Sequence, residues 1–164
     1  MTMYADEVLS DFDDDGTMPE NVDELRKAVV GHRIVKAEAG VKTTDKWGYR
    51  VTAPLVLTLD NGKRVELRNT DDCCAYTELE SFLLHPDRVD HIITGVGTTD
   101  GYTTWHIYAD MGDVLELSVG WSSGNPFYYA YGFDISVTEL TDGEQLREST
   151  YGAPRVVSAD ITVS

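Results

Sequence analysis

From residue 33 onward the apolar side chains recur mostly at every second position, the spacing of strands whose residues alternate between two faces. Residues 33–39 alternate weakly. In residues 53–60, Leu55, Leu57 and Leu59 share a face, and in residues 63–69, Val65 and Leu67 share one. Asn61-Gly62 between them is the strongest hairpin signal in the chain. Further strands are predicted at 89–97, 102–110, 113–121 and 127–140, with a last one at 155–163. In 113–121, Leu115, Leu117, Val119 and Trp121 alternate with Val114, Glu116, Ser118 and Gly120, a half-buried pattern. Residues 40–50 read as a polar loop holding Trp47 and Tyr49.

Two segments read as helices. Residues 19–30 place Val22, Leu25 and Val29 on one face, with Pro19 and acidic residues at the start and Gly31 as the stop. Residues 77–84 carry Thr77-Glu-Leu-Glu80, a capping-box pattern, followed by Phe82 and Leu83 and then Pro86. Consecutive strands with short connections argue for a meander rather than βαβ units. The expected fold is α+β and mostly β: a single curved antiparallel sheet of about six to eight strands with one or two short helices packed on it. We expect one domain over residues 19–164, preceded by an arm over residues 1–18.

Charge alters this picture more than composition does. The 164 residues hold 13 basic and 29 acidic side chains, a net −16. Residues 1–24 contain nine acids and no Lys or Arg, so they carry −9 and the rest of the chain −7. Such a block suits a solvated or disordered tail. The balance argues against direct binding to nucleic acid or to an anionic membrane, both of which need a cationic surface. No apolar run approaches the ~20 residues of a bilayer span. Met1-Thr-Met-Tyr-Ala-Asp-Glu7 has neither the basic nor the apolar segment of a secretory signal, so the expected place is a cytoplasm.

With these elements placed, residues 30–140 resemble a family of small uncharacterised proteins encoded mainly by actinobacterial phages. The resemblance rests on Val30-Gly31-His-Arg-Ile-Val, the hairpin Leu57-Thr-Leu-Asp-Asn-Gly62 and Asp72-Cys-Cys-Ala-Tyr76 before the second helical pattern. A Trp-bearing strand and an aromatic strand complete it. The Asp-Cys-Cys-aromatic junction is the specific part. The resemblance implies a phage origin, a host-cell cytoplasm and a shared fold, and it assigns no activity or site.

Candidate chemistry is sparse. Cys73 and Cys74 follow Asp71 and Asp72, whose charge disfavours a thiolate. We read the pair as reduced thiols in a structural turn. The metal alternative joins Cys73, Cys74 and Asp72 to His85, His91 or His106. Asp11-Phe-Asp-Asp-Asp-Gly16 opens like a calcium loop, with Asp11, Asp13 and Asp15 as ligands, but its twelfth position is Val22 rather than a bidentate glutamate. The simpler reading is an acidic loop before a helix. Asp11, Asp13, Asp14 and Asp15 together with Trp121 and Tyr128 are the expected partner-binding residues, since Trp and Tyr anchor interfaces. No serine elbow, phosphate loop or dinucleotide motif occurs.

The expectation is therefore a non-enzymatic protein without a cofactor that binds a host or phage protein, in one form by mimicking DNA. A virion-associated role and a metal-dependent enzyme or metal-binding module centred on Asp71, Asp72, Cys73 and Cys74 are the alternatives.

Overall fold

A computed structural model describes residues 4–9, 16–45, 47–71, 75–122 and 132–139, and the backbone of 155–156 and 160–162. The helix α1, Thr17–Val29, begins after Gly16 and buries Met18, Val22, Leu25 and Val29. It ends at Gly31, whose φ of 90° is a left-handed conformation that suits glycine. The strands follow in order: β1 Ile34–Glu38, β2 Val41–Thr44, β3 Arg50–Ala53, β4 Leu55–Leu59 and β5 Lys63–Arg68. Then come β6 Thr70–Asp71, β7 Tyr76–Leu84, β8 Gly95–Thr99, β9 Thr104–Ala109 and β10 Gly112–Ser122. Last are β11 Asp134–Glu139, β12 Arg155–Val156 and β13 Asp160–Thr162.

The fold is α+β and mostly β, and its strands divide between sheets where the meander reading places them in one. The first sheet has the order β11-β5-β4-β1-β12, the second β13-β7-β10-β9-β8 with β6 beside β7, and β2-β3 form a two-stranded ribbon. All pairings are antiparallel except β1 with β12. One core joins both sheets and the helix. It contains Leu57 and Leu67 from the first sheet, Phe82, Trp105 and Leu117 from the second, and Leu25 from α1. Both faces of β4 are buried. Asn21 ties helix to sheet: its Nδ2 donates to the Phe133 carbonyl at 2.9 Å and its Oδ1 accepts the Phe133 N–H at 2.8 Å.

The second expected helix, 77–84, is instead the strand β7. Thr77 and Leu79 are buried, then Phe82 and Leu84, while Glu78 and Glu80 face water. The register against β10 slips between Ser81 and Leu79, which leaves Glu80 as a bulge. A bulge inside a period of two gives apolar residues at 79, 82 and 83–84, which imitates a helical spacing. The Thr77 hydroxyl caps nothing: it meets the Met18 sulfur at 3.8 Å in the core. Asp71 pairs antiparallel with Tyr76, so the chain that follows the Asp-Asp-Cys-Cys segment enters a strand rather than a helix, while Asp72, Cys73 and Cys74 lie outside the described residues. Among the described residues no helix is long and apolar enough to cross a membrane.

Candidate functional site

Two surface regions concentrate side chains that the fold alone does not require. The first is the ribbon. Val41 and Thr43 pair with Ala53 and Val51, so β-branched residues carry both arms. Asp45 builds the tip. Its Oδ1 accepts the N–H groups of Trp47 and Tyr49, each at 2.9 Å, its own N–H donates to the Tyr49 carbonyl, and its carbonyl accepts the Gly48 N–H. Gly48 supplies the left-handed backbone the turn needs, with φ 88°. On this fixed backbone Trp47 is 69% exposed and Tyr49 70%.

Behind the tip lies a groove of about 520 Å³, walled by Lys42–Asp45 and floored by the outward rows of β5 and β11. The register sets Arg68 against Asp134, Glu66 against Ser136 and Arg64 against Thr138. Arg68 is only 3% exposed and is fully engaged. Its Nε donates to Asp134 at 3.0 Å, one Nη to Glu66 at 2.7 Å and Thr43 at 3.2 Å, and the other to Ser136 at 2.7 Å. Burial works against this charge, but Asp134 and Glu66 hold the guanidinium pKa above its ordinary value. The Thr43 bond fastens the ribbon to the sheet below it.

The second region lies on the outer face of the second sheet, beneath residues 4–9. His106 of β9 stands directly opposite Glu116 of β10. The β9–β10 register slips between Asp113 and Leu115, so Val114 is a bulge. That turn of the chain puts Asp113 and Glu116 on one face, although residues three apart in a regular strand point to opposite faces. Donor atoms of His106, Asp113 and Glu116 all lie within 4.8 Å of one another. His106 Nδ1 is 2.9 Å from Asp113 Oδ2, and its Nε2 is 2.8 Å from Thr99 Oγ1. His85 Nε2 lies 2.7 Å from Glu116 Oε2.

Residues 4–9 form a strap over this face. Tyr4 stacks on the His106 ring at 4.0 Å and donates its hydroxyl to Asp113 Oδ1 at 2.7 Å. Burial, then the bond to Asp113 and its charge, push the Tyr4 phenol well above its ordinary pKa, so it remains a donor. Gly97 makes room, since a Cβ there would come within 2.7 Å of Tyr4 Cβ. The Glu7 carboxylate accepts the N–H groups of Gly101 and Tyr102 at 2.7 and 2.9 Å. Burial raises the Glu7 pKa, but bonds from Thr98, Tyr102 and Gly101 outweigh it and hold the carboxyl below its usual value. Leu9 packs on the core. This part of the acidic arm is thus docked, where its composition suits a solvated tail.

The expected site residues fare unevenly. Cys73, Cys74, Asp72, Asp11, Asp13, Asp14, Asp15 and Tyr128 lie outside the described residues. Trp121 is partly buried, and its Nε1 donates to the Gly101 carbonyl at 2.9 Å. His91 Nδ1 lies 2.8 Å from Asp110 Oδ1. His32 faces Asp60 at 3.2 Å. His85 and His106 do converge, though on carboxylates of β10. A family model described as Domain of unknown function (DUF7448) matches residues 27–135. No curated protein and no solved structure matches the chain.

Proposed function

The chain belongs to the DUF7448 family of domains of unknown function, and we propose that it acts by binding a protein partner, with the ribbon tip as the anchor. The observation that carries this reading is the Asp45 turn, which holds Trp47 and Tyr49 in water on a backbone already ordered by four hydrogen bonds. Exposed aromatics cost solvation, and an interface recovers that cost. A backbone fixed beforehand loses little entropy on docking. Buried Trp and Tyr anchors each contribute on the order of 2 kcal/mol or more when a partner covers them.

The net charge of −16 favours a partner with a basic surface, because opposite potentials speed encounter. The sequence resemblance adds a phage origin, and with it a host protein in the host cytoplasm as the target. The groove beside the tip suits a segment of that partner: Lys42 on its wall and Glu66 and Ser136 on its floor provide both donors and acceptors.

The test is affinity capture from host lysate at physiological salt with the wild type and with a Trp47→Ala/Tyr49→Ala double variant. The wild type should enrich a discrete protein that the double variant loses. Absence of any enriched protein across several salt concentrations would sink the reading, as would equal enrichment by the double variant.

A further inference from the structure

We infer that His106, Asp113 and Glu116 form a binding site for one divalent transition-metal ion of the zinc and cobalt class. Three observations carry this. First, the donors already converge: their ligand atoms lie within 4.8 Å of one another, and donors around a zinc ion at ~2.0–2.2 Å lie roughly 3.2–3.6 Å apart, so small side-chain rotations close the set. The Val114 bulge is what brings Asp113 onto the face of Glu116 and His106.

Second, each donor has its own outer partner. Thr99 Oγ1 meets the far nitrogen of His106 at 2.8 Å, Tyr4 donates to the far oxygen of Asp113 at 2.7 Å, and His85 meets Glu116 at 2.7 Å. Metal-binding imidazoles and carboxylates are held in this manner, with the remaining atom of each turned to the ion. His106 would then bind through Nδ1, the nitrogen that faces Asp113.

Third, the charge is compatible. The side-chain partners of Asp113 and Glu116 include the imidazoles of His106 and His85 respectively. The nearby Arg88 guanidinium donates to the main-chain carbonyl of Asp113 at 3.1 Å rather than to its carboxylate. A divalent ion would neutralise two carboxylates that are only 12% and 30% exposed. One nitrogen and two carboxylate donors suit a borderline ion over calcium or magnesium, which take oxygen donors. Three protein ligands leave a position for water or for a partner's side chain.

The test uses the full chain, stripped with chelator and titrated calorimetrically with Zn²⁺, then with Co²⁺ while following its visible absorption. The expected result is one equivalent of Zn²⁺ and a Tm that rises by roughly 5–10 °C when zinc exceeds Kd about 100-fold. Glu116→Gln and Asp113→Asn should each weaken binding at least about tenfold, and Thr99→Val by about 10- to 100-fold through His106. A metal-free Tm close to wild type for Glu116→Gln, a partly exposed position, shows that its loss of binding is not loss of fold. The proposal is overturned if zinc does not bind, if calcium or magnesium binds more tightly, or if a Cys73→Ser/Cys74→Ser variant abolishes binding that Glu116→Gln leaves intact.

Discussion

At the ribbon tip the carboxylate and main chain of Asp45 hold the turn, and the side chains of Trp47 and Tyr49 are about 70% exposed. Under residues 4–9 the reverse holds: Tyr4, His106, Asp113 and Glu7 bond to other groups and are shielded by the strap. The tip offers apolar area to a partner at little ordering cost. The strapped face hides polar groups that must each be satisfied locally, because an unpaired buried polar group costs ~1–3 kcal/mol. Surface that is exposed without being needed for folding is available for recognition. Polar groups collected under a cover are available for chemistry or for an ion. Substitutions separate the two regions, because the strapped face is held by side-chain packing and pairing and the tip by the bonds of Asp45.

The largest effect is expected beneath the ribbon. Arg68→Met leaves Asp134 and Glu66 without their buried cation and cuts the Thr43 tie. Breaking one side of a buried charge network costs about 3–5 kcal/mol. Chemical denaturation should show that loss; a change under ~1 kcal/mol would mean the network contributes little beyond filling space. The tip itself should keep its Asp45 turn but lose its fixed distance from the groove.

Next come two glycines of β8 that face the strapped surface. A Cβ at Gly95 would lie 2.3 Å from the hydroxyl of buried Tyr108. Gly95→Ala should therefore cost about 1–3 kcal/mol, as overpacking does. At Gly97 the obstructed group is Tyr4 on the strap, which can lift away. Gly97→Ala should cost roughly 1 kcal/mol or less and expose residues 4–9 to proteolysis. Equal costs at the two positions, with the strap still protected, would show that residues 4–9 belong to the core as firmly as Tyr108 does.

What the amino-acid pattern revealed follows the range of the interactions. The face of α1, the Asn61-Gly62 hairpin and the alternation of β10 are local and were all readable. Strand β7 reads as a helix in the sequence because one bulged residue, Glu80, converts two short alternations into an apparent helical period. By polarity the ribbon reads as a loop, though Val41, Thr43, Thr44, Val51 and Thr52 flanking Asp45 and Gly48 carry β-branched arms and a turn. Trp47 and Tyr49 were visible within it, but their exposure was not. The pairing of Asp113 with Glu116 is hidden in the pattern for the same reason as β7, since three residues apart in a strand means opposite faces unless a bulge intervenes. Tyr4 meets Asp113 across 109 positions, a contact no local pattern encodes.

The strap has its own pH signature. The Glu7 carboxyl sits below its ordinary 4.5 in the folded protein, so its contribution is present above that value and is lost as pH falls through the folded pKa. The amide signals of Gly101 and Tyr102 should titrate together with a midpoint below 4.5, and Glu7→Gln should abolish that step. A midpoint at or above the ordinary value would mean that the strap does not hold the carboxylate in solution.

The smallest effect on stability should belong to the most exposed aromatics. Trp47→Ala/Tyr49→Ala removes side chains that are about 70% in water and leaves the Asp45 turn, whose bonds run to their main-chain N–H groups. Such surface changes are usually within about 0.5 kcal/mol. The same variant should abolish partner capture, so stability and binding move independently at the tip. At the strapped face they should move together, because Tyr4 and Glu7 both cover the site and hold the arm. If the double variant instead lost 2 kcal/mol or more, on the order of a buried aromatic's worth, the tip would be packing against the chain itself, and its aromatics would be part of the fold rather than an anchor for a partner.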